Sequence, residues 1–394
     1  MSVGRVWPLA NSATATTPTR HHPKILPLES LRGLLAVWVL AAHVAGRSLL
    51  DSQIAAARLN ALTEPLLPVY VFMILSGFVI FLLLDNEREG YLPFLLRRFF
   101  RLAPLYYVIL AISVFLLGLQ LHALESLPWK NRVVAESLAI HREAVANFWP
   151  HLWLHLTLLQ GLVPDALLRD ANFTFISHGW SVSLEWQFYL VAPLLFYLLL
   201  AQRYAYCGAL CVGVIALKLL LSAGVGYLPN QIHYFLAGIA SYYLFFLADK
   251  KYAVEGFRHD ALMVSFTAIL IVSAPSPWPW VIWLWAFDLI LMQKVGATST
   301  LTRLTSRVLA WRPFLFLGKI SYSIYLIHVP ILYVVFHVLV HMNPRLMGWE
   351  FFAAALPLTL GLTVAFSFIT YLLVERPGIQ VGNIVARKRT VYGQ

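Results

Sequence analysis

The sequence predicts an all-α, polytopic membrane protein with about ten transmembrane helices and both termini in the cytoplasm. Its 394 residues are 60% hydrophobic and only 12% charged, about half the charged fraction of a soluble domain. Apolar stretches long enough to cross a bilayer as helices recur along the chain. The number of lysine and arginine residues is alternately high and low in successive loops, as the positive-inside rule predicts for a multi-pass protein.

Ten apolar segments support this fold class. They lie at roughly 31–50, 66–84, 103–121, 185–202, 207–224, 233–248, 260–274, 278–293, 320–341 and 351–374. A further stretch near 148–160 is too short and too rich in histidine to span, so we interpret it as interfacial or re-entrant. Counting it as an eleventh span would place every later loop on the opposite side of the membrane and spoil the agreement with the loop charges.

Loop charges orient the predicted helices. With the amino terminus inside, the outer segments hold few basic residues, namely Arg47, Arg58, Lys130, Arg132, Arg142, Arg169 and Arg345. The inner segments hold the rest, which is the asymmetry of the positive-inside rule. The net charge of +11 does not indicate nucleic-acid binding, because the basic residues are spread over short loops.

The first apolar segment carries Arg32 and His43, eleven positions apart. At about 100° per residue both side chains share one helix face, and at about 1.5 Å rise they lie roughly 16 Å apart. An ionisable residue at membrane depth is costly and is therefore a functional hypothesis. The alternative is that Arg32 anchors the helix at the cytoplasmic surface and His43 is a satisfied packing residue.

A second basic group, Arg97, Arg98 and Arg101, stands at the predicted cytoplasmic start of the third helix. An anionic ligand there would be held by the guanidinium groups and by free backbone N–H groups. The alternative is that these arginines follow the positive-inside rule and contact lipid headgroups. In the second helix, Ser76 and Gly77 allow close approach, either of a neighbouring helix or of a narrow ligand.

Glu185 is predicted at the outer end of the fourth helix, where the deeper end of the first helix also points. A carboxylate there can orient a neutral His43 and support the imidazolium that forms during proton transfer. The alternative is a solvated carboxylate without a role. His328, in the ninth helix, is interpreted as structural. The motifs G-x-S-x-G and H-E-x-x-H and a glycine-rich phosphate loop are all absent from the sequence.

Together these stretches resemble acyltransferase family 3, a family of integral-membrane O-acyltransferases of exported polysaccharides and other glycans. The matching pieces, in chain order, are LESLRGLLAVWVLAAH, VYVFMILSGF, FLLRRFFRLAPLYY, HLTLLQ, WSVSLEWQFYLVAP, GKISYSIYLIHVPI and ERP. The resemblance covers residues 28–377, which we predict to be the acyltransferase domain. Residues 1–27 are predicted to be a disordered cytoplasmic tail and residues 378–394 a cytoplasmic carboxy-terminal tail.

The resemblance implies roles for individual residues. His43 matches the essential histidine of R-x10-H and Arg32 its arginine. Arg97 and Arg98 match the paired arginines before the third helix, and Glu185 matches the glutamate of W-S-x-x-x-E-x-x-F-Y.

We therefore predict an acyl-CoA-dependent O-acyltransferase, with acetyl-CoA as the default donor, in the plasma (bacterial inner) membrane. The donor phosphates are expected on Arg32, Arg97, Arg98 and Arg101, and its pantetheine arm beside Ser76. His43 is the predicted base and Glu185 its orienting carboxylate, acting on a hydroxyl of a glycan or lipid-linked carbohydrate. No metal and no nucleic acid are expected. The alternative is a transporter or flippase of a lipid-linked sugar, weakened by the absence of an internal repeat.

Overall fold

The structure is a computed structural model that describes residues 25–57, 60–221 and 224–392. Within these ranges the chain is helical and contains no β-strand, in agreement with the predicted all-α class. Residues 1–24, which make up most of the predicted disordered tail, lie outside the described residues.

The first half of the described chain forms nine α-helices. They are α1 (Leu26–Ser48), α2 (Asp51–Ala56), α3 (Asn60–Thr63), α4 (Leu66–Glu87), α5 (Tyr91–Phe115), α6 (Leu117–Glu125), α7 (Arg132–Ala146), α8 (Phe148–Thr157) and α9 (Trp180–Leu200). The remaining helices are α10 (Tyr204–Leu220), α11 (Leu228–Leu247), α12 (Gly256–Ser273), α13 (Trp278–Val295), α14 (Thr300–Leu309), α15 (Arg312–Lys319), α16 (Ser321–Met342), α17 (Gly348–Thr370) and α18 (Arg376–Tyr392). Short 3₁₀ turns cover Gln160–Leu162 and Lys250–Tyr252, and a π-helical turn covers Tyr371–Glu375.

Each of the ten predicted apolar segments forms a helix, but fewer of these helices are long and apolar enough to cross a bilayer. In the described ranges seven meet that condition, or eight if the bent pair α13 and α14 forms one span. The predicted count of ten is therefore not confirmed. Helix α10 is only 17 residues long, and α13 is bent by 103° against α14. The segment near 148–160 forms the ten-residue helix α8, which is too short to span.

Helix α5 begins twelve residues earlier than the predicted third span. Arg88 adopts a left-handed conformation with φ of 43° and ends α4, and Gly90 then caps α5. Arg97, Arg98 and Arg101 consequently lie in the second and third turns of α5, where backbone N–H groups already bond within the helix. The prediction that free N–H groups help these arginines to bind an anion is wrong.

Pro377 does not stop the last helix, contrary to its interpretation in the sequence. Helices α17 and α18 form one continuous run through the π-helical turn, in which the Arg376 N–H bonds the carbonyl of Tyr371 five residues earlier. A proline in an ordinary helix clashes with the carbonyl four residues before it, and a π-helical turn changes that register. The predicted carboxy-terminal tail is thus helical to Tyr392.

Glycines allow two pairs of helices to pack in close contact. A Cβ at Gly238 of α11 would stand 1.9 Å from the carbonyl oxygen of Ile74, and one at Gly77 would stand 2.2 Å from that of Phe235. A Cβ at Gly318 of α15 would likewise stand 1.9 Å from the carbonyl oxygen of Glu29 in α1. Helix α4 therefore lies directly against α11, and α1 against α15, as small residues permit in membrane proteins.

Candidate functional site

Two cavities with common lining residues lie inside the helical bundle. The first, here called the histidine cavity, is lined by His43 and Arg47 of α1, His178 and Trp180 near the start of α9, and residues of α2, α3 and α7. The second, here called the arginine cavity, is lined by Arg32 of α1, Arg98 and Arg101 of α5, and residues of α4, α9 and α16. Val69 and Tyr325 line both cavities.

His43 lies beside two other histidines. Its ring centroid is 5.2 Å from that of His328 on α16 and 6.4 Å from that of His178, while His178 and His328 are 4.6 Å apart. His328, interpreted from the sequence as structural, therefore belongs to the surroundings of His43.

Backbone carbonyls fix the rings of His178 and His328. His178 Nε2 donates to the carbonyl of Leu326 over 3.1 Å, and His328 Nδ1 donates to that of Tyr325 over 2.8 Å. The other nitrogen of each ring is buried and has no hydrogen-bond partner among the described residues. Each neutral ring thus offers one free lone pair, and both rings lie within a few ångströms of His43.

Arg47 is the polar neighbour of His43. Its guanidinium NH1 lies 2.9 Å from His43 Nδ1, and its Nε donates to the hydroxyl of Tyr333 over 3.3 Å. Arg47 is only 4% exposed. Because arginine is a donor only, this contact makes Nδ1 the acceptor and leaves the proton of the neutral ring on Nε2.

The arginine cavity brings together four of the five residues predicted for the donor site: Arg32, Arg98, Arg101 and Ser76. The guanidinium of Arg98 lies over the rings of Phe94 and Tyr189, at 5.8 and 5.9 Å. The Nε atoms of Arg32 and Arg98 are buried without a hydrogen-bond partner among the described residues. Within that part of the chain, neither guanidinium has a carboxylate within ion-pair distance. Both are therefore available to an anionic ligand.

Arg97 and Arg101 are already engaged by carboxylates. Arg97 forms ion pairs with Glu87, and with Glu89 at 2.9 Å, and it does not line the arginine cavity. Arg101 does line that cavity but forms a buried ion pair with Glu375. Glu375 also accepts a hydrogen bond of 2.6 Å from Ser323. The glutamate of the terminal ERP motif thus fixes Arg101 in place.

Glu185 lies in the arginine cavity and not against His43. Its carboxylate accepts hydrogen bonds from Tyr189, and from Ser76 over 3.4 Å. The predicted pairing of Glu185 with His43 is not formed, because α9 begins at Trp180 and carries Glu185 more than one turn inside the helix. Among the described residues, the side-chain partner of His43 is Arg47.

Comparison with known proteins identifies the family of the chain. The family model of the acyltransferase 3 domain matches residues 26–368. The chain belongs to this family. Acyltransferase MdmB of Streptomyces mycarofaciens is 30% identical over 176 residues, which cover 44% of this chain and 40% of that protein. The chain thus matches less than half the length of this curated relative. No solved structure matches the chain.

Several residues around the site of this acyltransferase 3 protein were not predicted from the sequence. Arg47 stands four residues after His43, a spacing that places both on one helix face, and this signal could have identified it. His178 stands two residues before the matching stretch WSVSLEWQFYLVAP, which begins at Trp180. Tyr325 and Glu375 fall within the matching stretches GKISYSIYLIHVPI and ERP, but no local spacing predicts their partners, which are more than 50 residues away in sequence.

Proposed function

We propose that this protein transfers an acyl group, most simply acetyl, from acyl-CoA to a hydroxyl of a glycan or lipid-linked carbohydrate. Membership of the acyltransferase 3 family supports acyl transfer. The observation that carries the finer proposal is that an arginine-lined cavity and a histidine-lined cavity share Val69 and Tyr325. A donor in one cavity and an acceptor in the other would meet at that point.

The arginine cavity suits the donor. Acyl-CoA carries phosphates, which guanidinium groups bind through charge-assisted hydrogen bonds. Arg32 and Arg98 are the available guanidinium groups, whereas Arg101 lines the cavity with its charge balanced by Glu375. Ser76 and the apolar side chains Phe72 and Leu75 line the rest of this cavity and suit an uncharged, narrow arm.

The histidine cavity suits a carbohydrate acceptor. Its wall combines the polar side chains of Asp51, Asn60, Glu64 and Glu136 with the aromatic ring of Trp180. Carboxylate and amide groups bind sugar hydroxyls, and an aromatic face packs against the apolar face of a sugar ring. The cavity therefore offers a carbohydrate both hydrogen bonds and a stacking surface.

The proposed reaction joins the acceptor hydroxyl to the thioester carbonyl carbon. His43 accepts the hydroxyl proton as the C–O bond forms, and the C–S bond then breaks. The departing sulfur takes that proton, which yields an ester and free CoA thiol. Because Arg47 occupies His43 Nδ1, the hydroxyl must replace Arg47 at that nitrogen. Arg47 would then face the developing oxyanion, and a fixed positive charge beside an oxyanion is a strong source of catalysis.

Glu185 takes a different role from the one predicted. We assign it to the donor site, where its negative charge balances the neighbouring arginines of the cavity it lines. It acts as a positioning residue, because its hydrogen bonds join Ser76 of α4 to Tyr189 of α9.

The proposed orientation follows from the loop charges. With both termini cytoplasmic, the arginine cavity faces the cytosolic donor and the histidine cavity faces the outer side of the plasma (bacterial inner) membrane. This arrangement would let a cytosolic acyl-CoA serve an acceptor on the other side.

The decisive experiment compares surface glycans from cells that carry the wild-type protein, His43→Ala or His233→Ala. Mass spectrometry should find glycans heavier by one acyl unit with the wild type and with His233→Ala, an exposed histidine of α11. His43→Ala should lower acylation by at least about 100-fold, the usual contribution of a general base. Unchanged acylation in His43→Ala would contradict the proposed chemistry.

The rival function is transport of a lipid-linked sugar without acyl transfer. Purified protein in lipid nanodiscs separates the two, because only the acyltransferase should bind acetyl-CoA and lose that binding in Arg98→Gln. Sugar translocation in vesicles that lack acyl-CoA would favour the transporter.

A further inference from the structure

A second group of histidines lies outside both cavities. His122 belongs to α6, and His337 and His341 stand one turn apart in the last two turns of α16. The ring centroids of His337 and His341 are 4.2 Å apart, and those of His122 are 5.4 Å and 5.7 Å from them. One ring nitrogen of each residue lies within 4.8 Å of those of the other two.

The ring nitrogens of this group are available to a ligand. His341 Nδ1 donates to the carbonyl of His337 over 2.7 Å, which leaves the lone pair of the neutral ring on Nε2. His337 Nδ1 is buried and has no hydrogen-bond partner among the described residues. A backbone carbonyl that fixes one nitrogen of a histidine is the usual support for a metal bond at the other nitrogen.

The geometry points to a binding site for a divalent transition metal of the Zn²⁺ type, held by His122, His337 and His341. Imidazole nitrogen is a preferred ligand of Zn²⁺, and three histidines leave a fourth position for water. Nitrogens around a tetrahedral Zn²⁺ are about 3.4 Å apart, so the three rings must close slightly by side-chain rotation. His122 and His341 are exposed, which leaves them free to rotate.

Such a metal would join two helices that are distant in sequence. Helix α6 supplies one ligand, His122, and the carboxy-terminal end of α16 supplies the other two, His337 and His341. The bound ion would therefore clamp α6 to α16 and raise the thermal midpoint of unfolding. This inference departs from the sequence analysis, which predicted no metal. It is independent of the proposed acyl transfer, because none of these histidines lines the two cavities.

Calorimetric titration with ZnCl₂ tests the proposal on full-length protein purified without a polyhistidine tag and treated with chelator. Wild type and the control His233→Ala should bind Zn²⁺ with the same affinity. His337→Ala and His122→Ala should each bind at least about tenfold more weakly, since each loses one of three ligands. Equal affinity in all four proteins would overturn the proposal.

A measurement on the wild type alone avoids any effect of substitution on folding. Diethyl pyrocarbonate modifies accessible imidazole nitrogens, and peptide mass spectrometry locates the modified residues. Saturating ZnCl₂ should protect His122 and His341 but leave His233 reactive. Modification of His122 and His341 at an unchanged rate would show that these histidines do not share a metal ion.

Discussion

The guanidinium of Arg47 lies 2.9 Å from Nδ1 of His43, one helical turn earlier on α1. This contact sets the tautomer of the histidine that we propose as the base. It also places a buried positive charge in the wall of the histidine cavity. The proposed base and the proposed electrostatic stabiliser thus come from adjacent turns of one helix.

Replacement of Arg47 tests this pairing. Arg47→Gln should lower kcat for acyl transfer by roughly 100-fold, the usual effect of removing one donor to an oxyanion, and should change KM for acyl-CoA little. Steady-state kinetics in nanodiscs measures both constants. Tyr333→Phe is the matched control, because it removes the other side-chain partner of Arg47 but keeps the guanidinium. A kcat that Arg47→Gln leaves unchanged would contradict a role in the reaction.

Neighbouring arginines should differ in their effect on donor binding. Arg98 lines the arginine cavity, whereas Arg97 pairs with Glu87 and Glu89 outside it. Arg98→Gln should therefore raise the Kd for acetyl-CoA at least about tenfold, in line with a charge-assisted hydrogen bond, and Arg97→Gln should change it much less. Equilibrium binding measures both values. Equal losses in the two variants would instead support the paired-arginine prediction from the sequence.

The buried ion pair of Arg101 and Glu375 should stabilise the fold. The Glu375 side chain is fully buried, so Glu375→Ala leaves the Arg101 charge without its partner, at a cost of about 3–5 kcal/mol. The thermal midpoint in detergent should fall clearly. Glu375→Gln keeps the acceptor oxygen for Ser323 and should lose less. If both variants unfold at the wild-type midpoint, the pair has no structural role.

The α4–α11 contact should not accept a larger residue at Gly238. Gly238→Ala would place a Cβ 1.9 Å from the carbonyl oxygen of Ile74, so the helices must separate and the thermal midpoint should fall. The overpacking costs about 1–3 kcal/mol. Gly213→Ala is the matched control, because no heavy atom lies within 4 Å of its added Cβ, and it should be neutral or slightly stabilising. Equal midpoints for the two variants would contradict the close contact.

Buried histidines of α7 and α8 predict a loss of stability in acid. Burial lowers the pKa of His155 to about 3 and that of His141 to about 4. Their stabilising effect is complete above the unfolded pKa of about 6.5 and declines as pH falls toward these lowered values. The thermal midpoint should therefore fall between pH 7 and pH 5. The stability of His155→Gln should fall less steeply with decreasing pH, and its slope should differ from that of the wild type by up to about 1.4 kcal/mol per pH unit. Parallel pH profiles of the two proteins would exclude this cause.

Much of the architecture could be predicted from local sequence pattern. In the described residues each of the ten apolar segments overlaps an α-helix, because a helix satisfies the backbone polar groups of an apolar stretch internally. Helix ends were harder to predict. The start of α5 depends on the left-handed backbone conformation of Arg88. The continuation of the helix through Pro377 depends on the π-helical turn before it. Neither backbone feature has a hydropathy signal.

Local sequence pattern was enough to place Arg32 and His43 on one helix, since their spacing and the apolar run around them are local properties. Only the packing of the helices shows that Glu185 joins the arginines, that Glu375 holds Arg101, and that His178 and His328 surround His43. The physical reason is that these contacts join helices far apart in the chain. Their partners depend on crossing points such as the Gly238–Ile74 contact, which the periodicity of a single helix does not encode.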